Sequence, residues 1–287
     1  MKKIIYLAAF AVVSGACTSS KIITKTFNTV IELNTLPVAE AFAPLFDGNY
    51  DMDEGSQLKV SSLLYDAEGN VILDADQVLD GYTSVCWGLN EIPGGEYSLV
   101  SVSFVESEGK ALYTIEGRSN LNTLVLRNNS DLSFNSKSSL LGIAFQTITI
   151  GNEDTVKVAL TPASAYVGVQ YQKAAPISEP DNTTVIFTMT ANMTVDFKEG
   201  QPMYSDPGII SVQVNPGDYK SYFVLPSELL NCSASYTSGE EGVKALESVD
   251  APVVAGNSYI AVIDWINKTL SIDQQTFDAV PSNDMKE

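Results

Sequence analysis

Short runs of β-branched and aromatic residues recur along this chain from Lys25 onward, with turn residues between them. Residues 26–33, 58–65 and 97–104 are examples. In the first run, one face carries apolar or hydroxyl side chains, namely Phe27, Thr29, Ile31 and Leu33. Asn28, Val30 and Glu32 alternate with them and face the other way. A period of two with one apolar face is typical of a half-buried antiparallel strand. Many such runs predict an all-β sandwich or barrel.

The segments between these runs carry turn chemistry. Residues 66–70 (Asp-Ala-Glu-Gly-Asn) predict a hairpin in which Gly69 takes a left-handed backbone conformation. Residues 206–208 and 266–268 predict further turns. Helical signals are scarce, and short helical turns are expected only at residues 38–42, 136–141 and 226–230.

A turn motif that repeats suggests two domains. Residues 93–97 (Pro-Gly-Gly-Glu-Tyr) and 216–219 (Pro-Gly-Asp-Tyr) each precede a β-type run, and their tyrosines are 122 positions apart. Residues 256–259 (Gly-Asn-Ser-Tyr) are a looser copy. This spacing is close to the length of one β-sandwich. We therefore expect two tandem sandwiches, at residues 26–152 and 153–273, and a polar tail at residues 274–287.

The first residues resemble an export signal. Met1-Lys2-Lys3 is followed by an apolar run at residues 4–13, by Ser-Gly-Ala at residues 14–16 and by Cys17. The apolar run is shorter than the roughly 20 residues that a membrane-spanning helix needs. A cysteine directly after the cut resembles a lipoprotein signal. The pattern predicts a signal peptide at residues 1–16, a lipidated linker at residues 17–25 and acyl chains on Cys17 that anchor the chain.

An ordinary signal peptidase offers an alternative to lipidation. Lipoprotein signals usually carry leucine three residues before the cysteine, and this chain has Ser14 there. Ser14 and Ala16 also suit the ordinary peptidase, which would cut the same bond and leave Cys17 as a free terminal residue. The two alternatives predict the same mature chain but different attachment.

Charge and composition exclude several classes of function. The net charge is −19, and removal of Lys2 and Lys3 with the signal lowers it to −21. Nucleic acid is therefore not an expected partner, because phosphate binding needs clusters of lysine and arginine. The chain has no histidine, which excludes Ser-His-Asp and Cys-His nucleophiles and imidazole zinc sites. With no glycine-rich phosphate loop either, we expect a protein that is not an enzyme and needs no cofactor or metal.

Two cysteines remain after Cys17. Cys86 and Cys232 both lie in strand-like segments, one in each predicted sandwich. An exported protein is able to form a disulfide, but cysteines in separate domains favour two buried free thiols.

Three segments carry a resemblance to a known family. Residues 63–72 (LLYDAEGNVI), 89–97 (LNEIPGGEY) and 160–169 (LTPASAYVGV) are similar to those of the fimbrillin-like lipoproteins of Bacteroidetes. The resemblance is greatest to the branch that contains fimbrium anchoring and accessory subunits. It implies two transthyretin-like Greek-key sandwiches, held at the outer membrane by acyl chains on Cys17, that act in fimbria anchoring, fimbria assembly or cell adhesion.

The resemblance also implies a partner. Polymerising members of this family join by strand exchange, in which an added strand completes the open sheet of a neighbour, so fimbrial subunits are the expected partners. The tail of this chain has only Phe277, Val280 and Met285 as sizeable apolar residues. It is a poor donor strand, which suits a base or accessory subunit, or it is simply disordered. Related surface-exported lipoproteins carry acidic residues after the cysteine, whereas Thr18-Ser19-Ser20-Lys21 follows here, so a surface and a periplasmic orientation both stay open.

A second function fits the same anchor and architecture. Trp87, Trp265 and the tyrosines, most of them expected in the core, include candidates for a platform on which sugar rings stack. The alternative is therefore a carbohydrate-binding outer-membrane lipoprotein that serves glycan uptake.

Overall fold

The structure is a computed structural model of the full chain. It describes residues 25–46, 48, 51–52, 54–107, 109–129, 140–151, 153–172, 184–198, 200–215, 217–237, 242–264 and 266–276. Residues 1–16, which are the predicted signal peptide, lie outside these residues, as do Cys17, Trp265 and the tail beyond Thr276. Within the described residues, no helix combines the length and apolarity needed to cross a membrane.

The fold is almost entirely β, as predicted. One α-helix, α1, covers Leu36–Phe42, and short 3₁₀ turns cover Ala43–Phe46 and Leu121–Thr123. The strands are β1 (Thr26–Asn34), β2 (Ser56–Tyr65), β3 (Val71–Leu79), β4 (Ser84–Pro93), β5 (Gly95–Ser107), β6 (Lys110–Ala111), β7 (Tyr113–Glu116), β8 (Val125–Asn128), β9 (Leu141–Ile150), β10 (Thr155–Ala159), β11 (Thr161–Pro162), β12 (Ala165–Gln172), β13 (Thr184–Lys198), β14 (Gln201–Val214), β15 (Tyr219–Val224), β16 (Ser227–Thr237), β17 (Val243–Ala245), β18 (Val249–Val253), β19 (Ser258–Asp264) and β20 (Thr269–Gln275).

The first sandwich is built from two sheets. The first sheet has the order β10-β1-β4, and the second sheet has the order β11-β9-β5-β2-β3, with β6 added to β5. Their facing sides bury one apolar core, in which Ile31 and Leu33 of β1 meet Leu64 and Leu99 of the second sheet. The alternation predicted for β1 is confirmed, because Ile31 and Leu33 are fully buried while Val30 is 37% exposed.

The second sandwich pairs two further sheets. The third sheet has the order β17-β16-β13-β8-β7, with β14 added to β13 and β18 added to β16, and the fourth sheet has the order β15-β12-β19-β20. Their core includes Val167 and Val169 of β12, Phe187 and Met189 of β13, and Ile263 of β19. The predicted pair of tandem sandwiches is therefore present.

A third core joins the two sandwiches. The outward side of the second sheet buries Leu63, Val100 and Val102 against the third sheet, which contributes Val195 and Phe197. The second sheet is therefore covered on both faces, which explains why seven consecutive residues of β5 are buried and why their alternation is weak in the sequence.

Helix α1 makes a second connection between the sandwiches. Phe42 packs edge-on against Phe223 of the fourth sheet, with ring centroids 5.3 Å apart. Phe223 also meets Tyr166 at 5.5 Å. These rings belong to the first core, so the helix predicted at residues 38–42 is confirmed and contacts both sandwiches.

The strand pairing bears on the predicted boundary at residues 151–154. β10 runs parallel to β1, with Val30 opposite Thr155, and β11 pairs with β9. These hydrogen bonds join residues 155–162 to the sheets of the first sandwich. On this pairing we propose that the second sandwich begins near residue 163, later than predicted, and that β7 and β8 also belong to it through the third sheet.

Two local predictions are wrong. Residues 226–230 were expected to be helical, but Ser227 begins β16, since pairing with β18 and burial of Leu230 favour a strand. Residues 206–208 were expected to form a turn, but they continue β14, and Asp206 takes the left-handed conformation within it at φ 58°. In the third predicted helical turn, residues 136–139 lie outside the described residues and Leu141 begins β9.

The other predicted turns are confirmed. The hairpin at residues 66–70 joins β2 to β3, Gly69 has a φ of 82°, and the Asp66 carboxylate accepts hydrogen bonds from the backbone N–H of Glu68 and Asn70. Residues 266–268 join β19 to β20.

Candidate interaction surfaces

The described cysteines are free and differ in environment. Cys232 is fully buried in the second sandwich, and burial raises the pKa of its thiol to about 12, with a smaller contribution from the Asp250 carboxylate. Cys86 lies in edge strand β4 and is exposed. The prediction of two free thiols is confirmed, and the prediction that Cys86 is buried is wrong, because it lies on the outward side of an edge strand.

A charged cluster lies at the edge of the second sheet. The Arg118 guanidinium donates to both carboxylate oxygens of Asp76, at 2.7 and 3.1 Å, and to the Asp74 carboxylate. Ser61 Oγ donates to Asp76 at 2.6 Å, and Tyr65 Oη donates to the backbone carbonyl of Arg118 at 3.0 Å. Burial by itself raises the pKa of Asp76, but the hydrogen bonds from Arg118 and Ser61 outweigh it and lower the pKa.

This cluster is structural in its chemistry. A cavity of about 340 Å³ beside it is lined by Lys59, Glu106, Tyr113 and Arg118, among others. Both cations and anions line it, the guanidinium is already paired with carboxylates, and Tyr113 is only 2% exposed. The arrangement therefore fastens the loop that follows β7 to β3, while Arg118 Nε is buried without a hydrogen-bond partner. Among the described residues, no group of three or more acidic, cysteine or histidine side chains is placed to hold a metal ion.

The outer face of the third sheet is not part of the cores in the described part of the chain. Odd-numbered residues of β13 are buried between residues 185 and 197 apart from Met193, while even-numbered ones face outward. Short hydroxyl side chains pair across this face: Thr188 with Ser211 at 3.0 Å and Thr194 with Ser205 at 2.9 Å. Ile186 and Ile209 interrupt the polar rows, with 42% and 73% exposure.

A groove opens where β16 diverges from β13. Its cavity is about 560 Å³, and most of its lining is apolar: Asn192, Gln201, Pro202, Met203, Tyr204, Pro226, Ser227, Glu228, Pro252, Val253 and Val254. Asn192 Nδ2 donates to the carbonyl oxygen of Pro226 at 2.6 Å, which fixes that wall. The burial of Tyr204 raises the pKa of its phenol to about 12, so this side chain is neutral at pH 7. Among the described lining residues, Glu228 is the one carboxylate and there is no cation.

Several described strands pair on one side only, and β14 and β20 are two of them. In the described part of the chain, β14 pairs only with β13 and β20 pairs only with β19. β14 carries Pro202 and Pro207, and proline on an edge strand hinders pairing with another chain. β20 has no proline, so it is the better template for an added strand.

The aromatic side chains do not form an exposed platform in the described part of the chain. The large exposed apolar side chains there are all aliphatic or methionine. Trp87 is partly buried against the first core. This agrees with the expectation that most aromatic side chains lie in the core, and Trp265 lies outside the described residues.

Sequence reasoning missed both the groove and the polar outer face. The groove is assembled from four segments that are distant in sequence, and its prolines read locally as ordinary turn residues. The outer face left a usable signal, namely the alternating threonines at positions 184, 188, 190 and 194 of β13.

The arrangement of two sandwiches joined by a shared core defines an all-β fold of the kind found in proteins of bacterial fimbriae and adhesion. A proposed adhesin of Bacteroides thetaiotaomicron has a TM-score of 0.53 to this chain at 10% identity, with 88% of this chain and 97% of the adhesin covered. The fimbrial anchor protein Mfa2 of Porphyromonas gingivalis has a TM-score of 0.51 at 11% identity, with 85% and 94% covered. A protein of B. thetaiotaomicron described as a proposed polysaccharide-binding protein has a TM-score of 0.52 at 11% identity, with 87% and 98% covered.

These comparisons confirm the expected all-β fold, which this chain shares with proteins described as an adhesin and as a fimbrial anchor. No protein-family model matches the sequence, and no curated protein matches it. At these identities the likeness is one of backbone architecture, and it extends over both sandwiches.

Proposed function

We propose that this protein is a non-enzymatic lipoprotein of the cell envelope that acts in fimbria anchoring, fimbria assembly or cell adhesion. The observation that carries the proposal is the similarity to the fimbrial anchor Mfa2 over 85% of this chain and 94% of the anchor. The match covers both sandwiches and is therefore not limited to a single common module.

Acyl chains on Cys17 would hold this unit at the outer membrane. The lysine-led signal and the small residues at positions 14–16 support this anchor. Two or three acyl chains hold a protein stably at a bilayer, because each buried methylene contributes roughly 0.8 kcal/mol. Palmitate labelling of the wild type and of Cys17→Ala tests the anchor. Label on the wild type alone is expected, and equal label on both would remove Cys17 as the attachment point.

Fimbrial subunits are the proposed partners, through addition of a strand to an open sheet edge. The unpaired edge of β20 supports this mode, because backbone hydrogen bonds along an edge give affinity without reactive side chains. Cross-linking of intact envelopes, followed by purification and mass spectrometry, should recover fimbrial subunits with this chain. Replacing Ile272 of β20 is uninformative, since it is buried. Ser271 is exposed, and Ser271→Pro places in β20 a residue that hinders pairing of an edge strand with another chain, so it should reduce recovery.

Glycan binding is the second candidate, and one neighbour described as a proposed polysaccharide-binding protein supports it. A glycan array with the purified mature chain separates the two functions. If the mature chain binds one glycan class selectively, and if mutation of an exposed residue abolishes that binding, the result would favour a function in glycan uptake. Silence on the array together with recovery of fimbrial subunits favours the first proposal.

A further inference from the structure

The groove on the third sheet is a largely apolar opening on a strongly acidic chain. Among its lining residues, Met203 is 43% exposed and Val254 is 55% exposed. Prolines at positions 202, 226 and 252 complete the walls. Exposed apolar residues that cluster in this way mark a surface that another segment covers.

The strand register places the start of the tail close to this rim. Gln275, at the end of β20, is paired with Ser258 at the start of β19. Ser258 follows a tight turn in which Asn257 N–H donates to the carbonyl oxygen of Val254 at 3.3 Å. A hydrogen-bonded turn and one antiparallel pair together span about 16 Å between the Cα atoms of Val254 and Gln275.

The tail has the length and the chemistry to fill the groove. Residues 277–287 follow the described part of β20, with apolar side chains at Phe277, Val280 and Met285. Val280 is five residues beyond Gln275, and five extended residues reach about 17 Å. β18 ends at the groove and contacts β20, so it connects the edge of the fourth sheet to the groove.

We propose that the groove on the third sheet is an intramolecular docking site for residues 277–287, with Phe277 and Val280 as the anchoring side chains. The occupant is this chain's own tail because the tail starts beside the rim, which gives it a high effective concentration there. A docked tail covers the exposed apolar rim and is withheld from donation to a neighbour. The inference goes beyond the proposed function and needs neither lipidation nor a fimbrial partner.

Disulfide trapping tests the contact directly. The full chain carrying Cys17→Ala and Cys86→Ser retains only Cys232, which is 0% exposed. Into it we would introduce Val254→Cys with Val280→Cys, and as the matched control Val243→Cys with Val280→Cys. Val243 is 74% exposed and lies beside the opposite end of β16, opposite Thr237. The groove pair should form a disulfide within the monomer at least 10-fold faster than the control pair.

Two results would overturn the proposal. Equal rates for both pairs would show a tail without a preferred site, and disulfides found only between two chains would assign the groove to the tail of a second copy. Hydrogen exchange gives an independent reading: Phe277→Ser with Val280→Ser should speed exchange at residues 226–228 and 252–254, whereas Asn283→Ser should leave it unchanged. Identical exchange in both variants would also contradict docking.

Discussion

The second and third sheets differ in how many of their faces are buried. The second sheet is covered on one side by the first sheet and on the other by the third sheet, so β2 and β5 are buried over most of their length. The third sheet buries one face against two different partners and leaves its outer face to solvent. One sheet is therefore the centre of the fold, and the other has one face outside the cores.

This difference separates stability from interaction. Substitutions toward the second sheet disturb a core that both sandwiches share, whereas substitutions on the outer face of the third sheet change only what that face can bind. The first prediction tests this contrast where β13 carries both kinds of residue.

Phe197→Ala should give the largest loss. Phe197 is 1% exposed and packs edge-on against Phe145, with ring centroids 5.8 Å apart. Truncation of a buried phenylalanine costs about 3–5 kcal/mol in the free energy of unfolding. Ile186→Ala on the outer face of the same strand should cost less than about 0.5 kcal/mol. Urea unfolding measures both, and similar costs would contradict the assignment of faces.

Gly142→Ala should give an intermediate loss. A Cβ atom at Gly142 would lie 2.5 Å from Val38 Cγ2 and 2.6 Å from Ser103 Oγ, so α1 or β5 would have to move. Overpacking of this kind costs about 1–3 kcal/mol. Gly88→Ala in edge strand β4 is the control, since a Cβ there meets nothing within 4 Å. If both variants unfold at the same urea concentration, the helix does not pack on the second sheet as described.

Arg118→Gln should give a smaller loss that depends on pH. At pH 7 we expect a cost of about 1 kcal/mol, because the carboxylates that Arg118 pairs with are partly exposed. Arg118 lowers the pKa of Asp76 in the folded state. The stabilisation that Arg118 gives is therefore fully present above the pKa that Asp76 has in the unfolded chain. It is lost as the pH falls through the lower pKa that Asp76 has in the folded protein.

Unfolding of wild type and Arg118→Gln at pH 7 and at pH 3 checks this sign. The difference between the two proteins should narrow at pH 3. Arg127→Gln is the control, since Arg127 is more exposed and its ion pairs are longer, at 3.3 and 3.6 Å. A difference that widens on acidification would contradict the role given to Asp76.

Cys86 and Cys232 should differ in their rates of alkylation while the protein stays folded. Cys86 is exposed, whereas Cys232 is buried and its pKa is raised to about 12, so little thiolate forms at neutral pH. Iodoacetamide at pH 8 should label Cys86 in the native protein and both cysteines in urea. Native labelling of Cys232 would show that the second core opens.

Much of the fold is predictable from the sequence, and the reasons are local. β1 alternates because one of its faces is buried, and Gly69 and Asp66 specify the β2–β3 hairpin through backbone conformation and side-chain hydrogen bonds. Residues 226–230 read as helical because the serine, glutamate and leucines there suit a helix, yet pairing with β18 overrides that preference. Local sequence patterns do not show which strand will pair with residues 226–230.

The surfaces were less predictable than the elements. The groove joins β13, β14, β16 and β18, and no local pattern contains such a combination. The exposure of Cys86 depends on β4 being an edge strand, which follows from sheet order and not from the residues around it. The resemblance carried by short motifs correctly indicated the fold, because those motifs are the turns that set the strand order.

The anchor is the most direct test of the proposed function. Cells that bear fimbriae and express either wild type or Cys17→Ala would be fractionated, and this chain and the fimbrial subunits would be quantified in the envelope and in the medium. We expect the substitution Cys17→Ala to move this chain from the envelope to the medium and to release fimbrial subunits with it. Retention of both in the envelope, in the same amounts as in wild type, would contradict it.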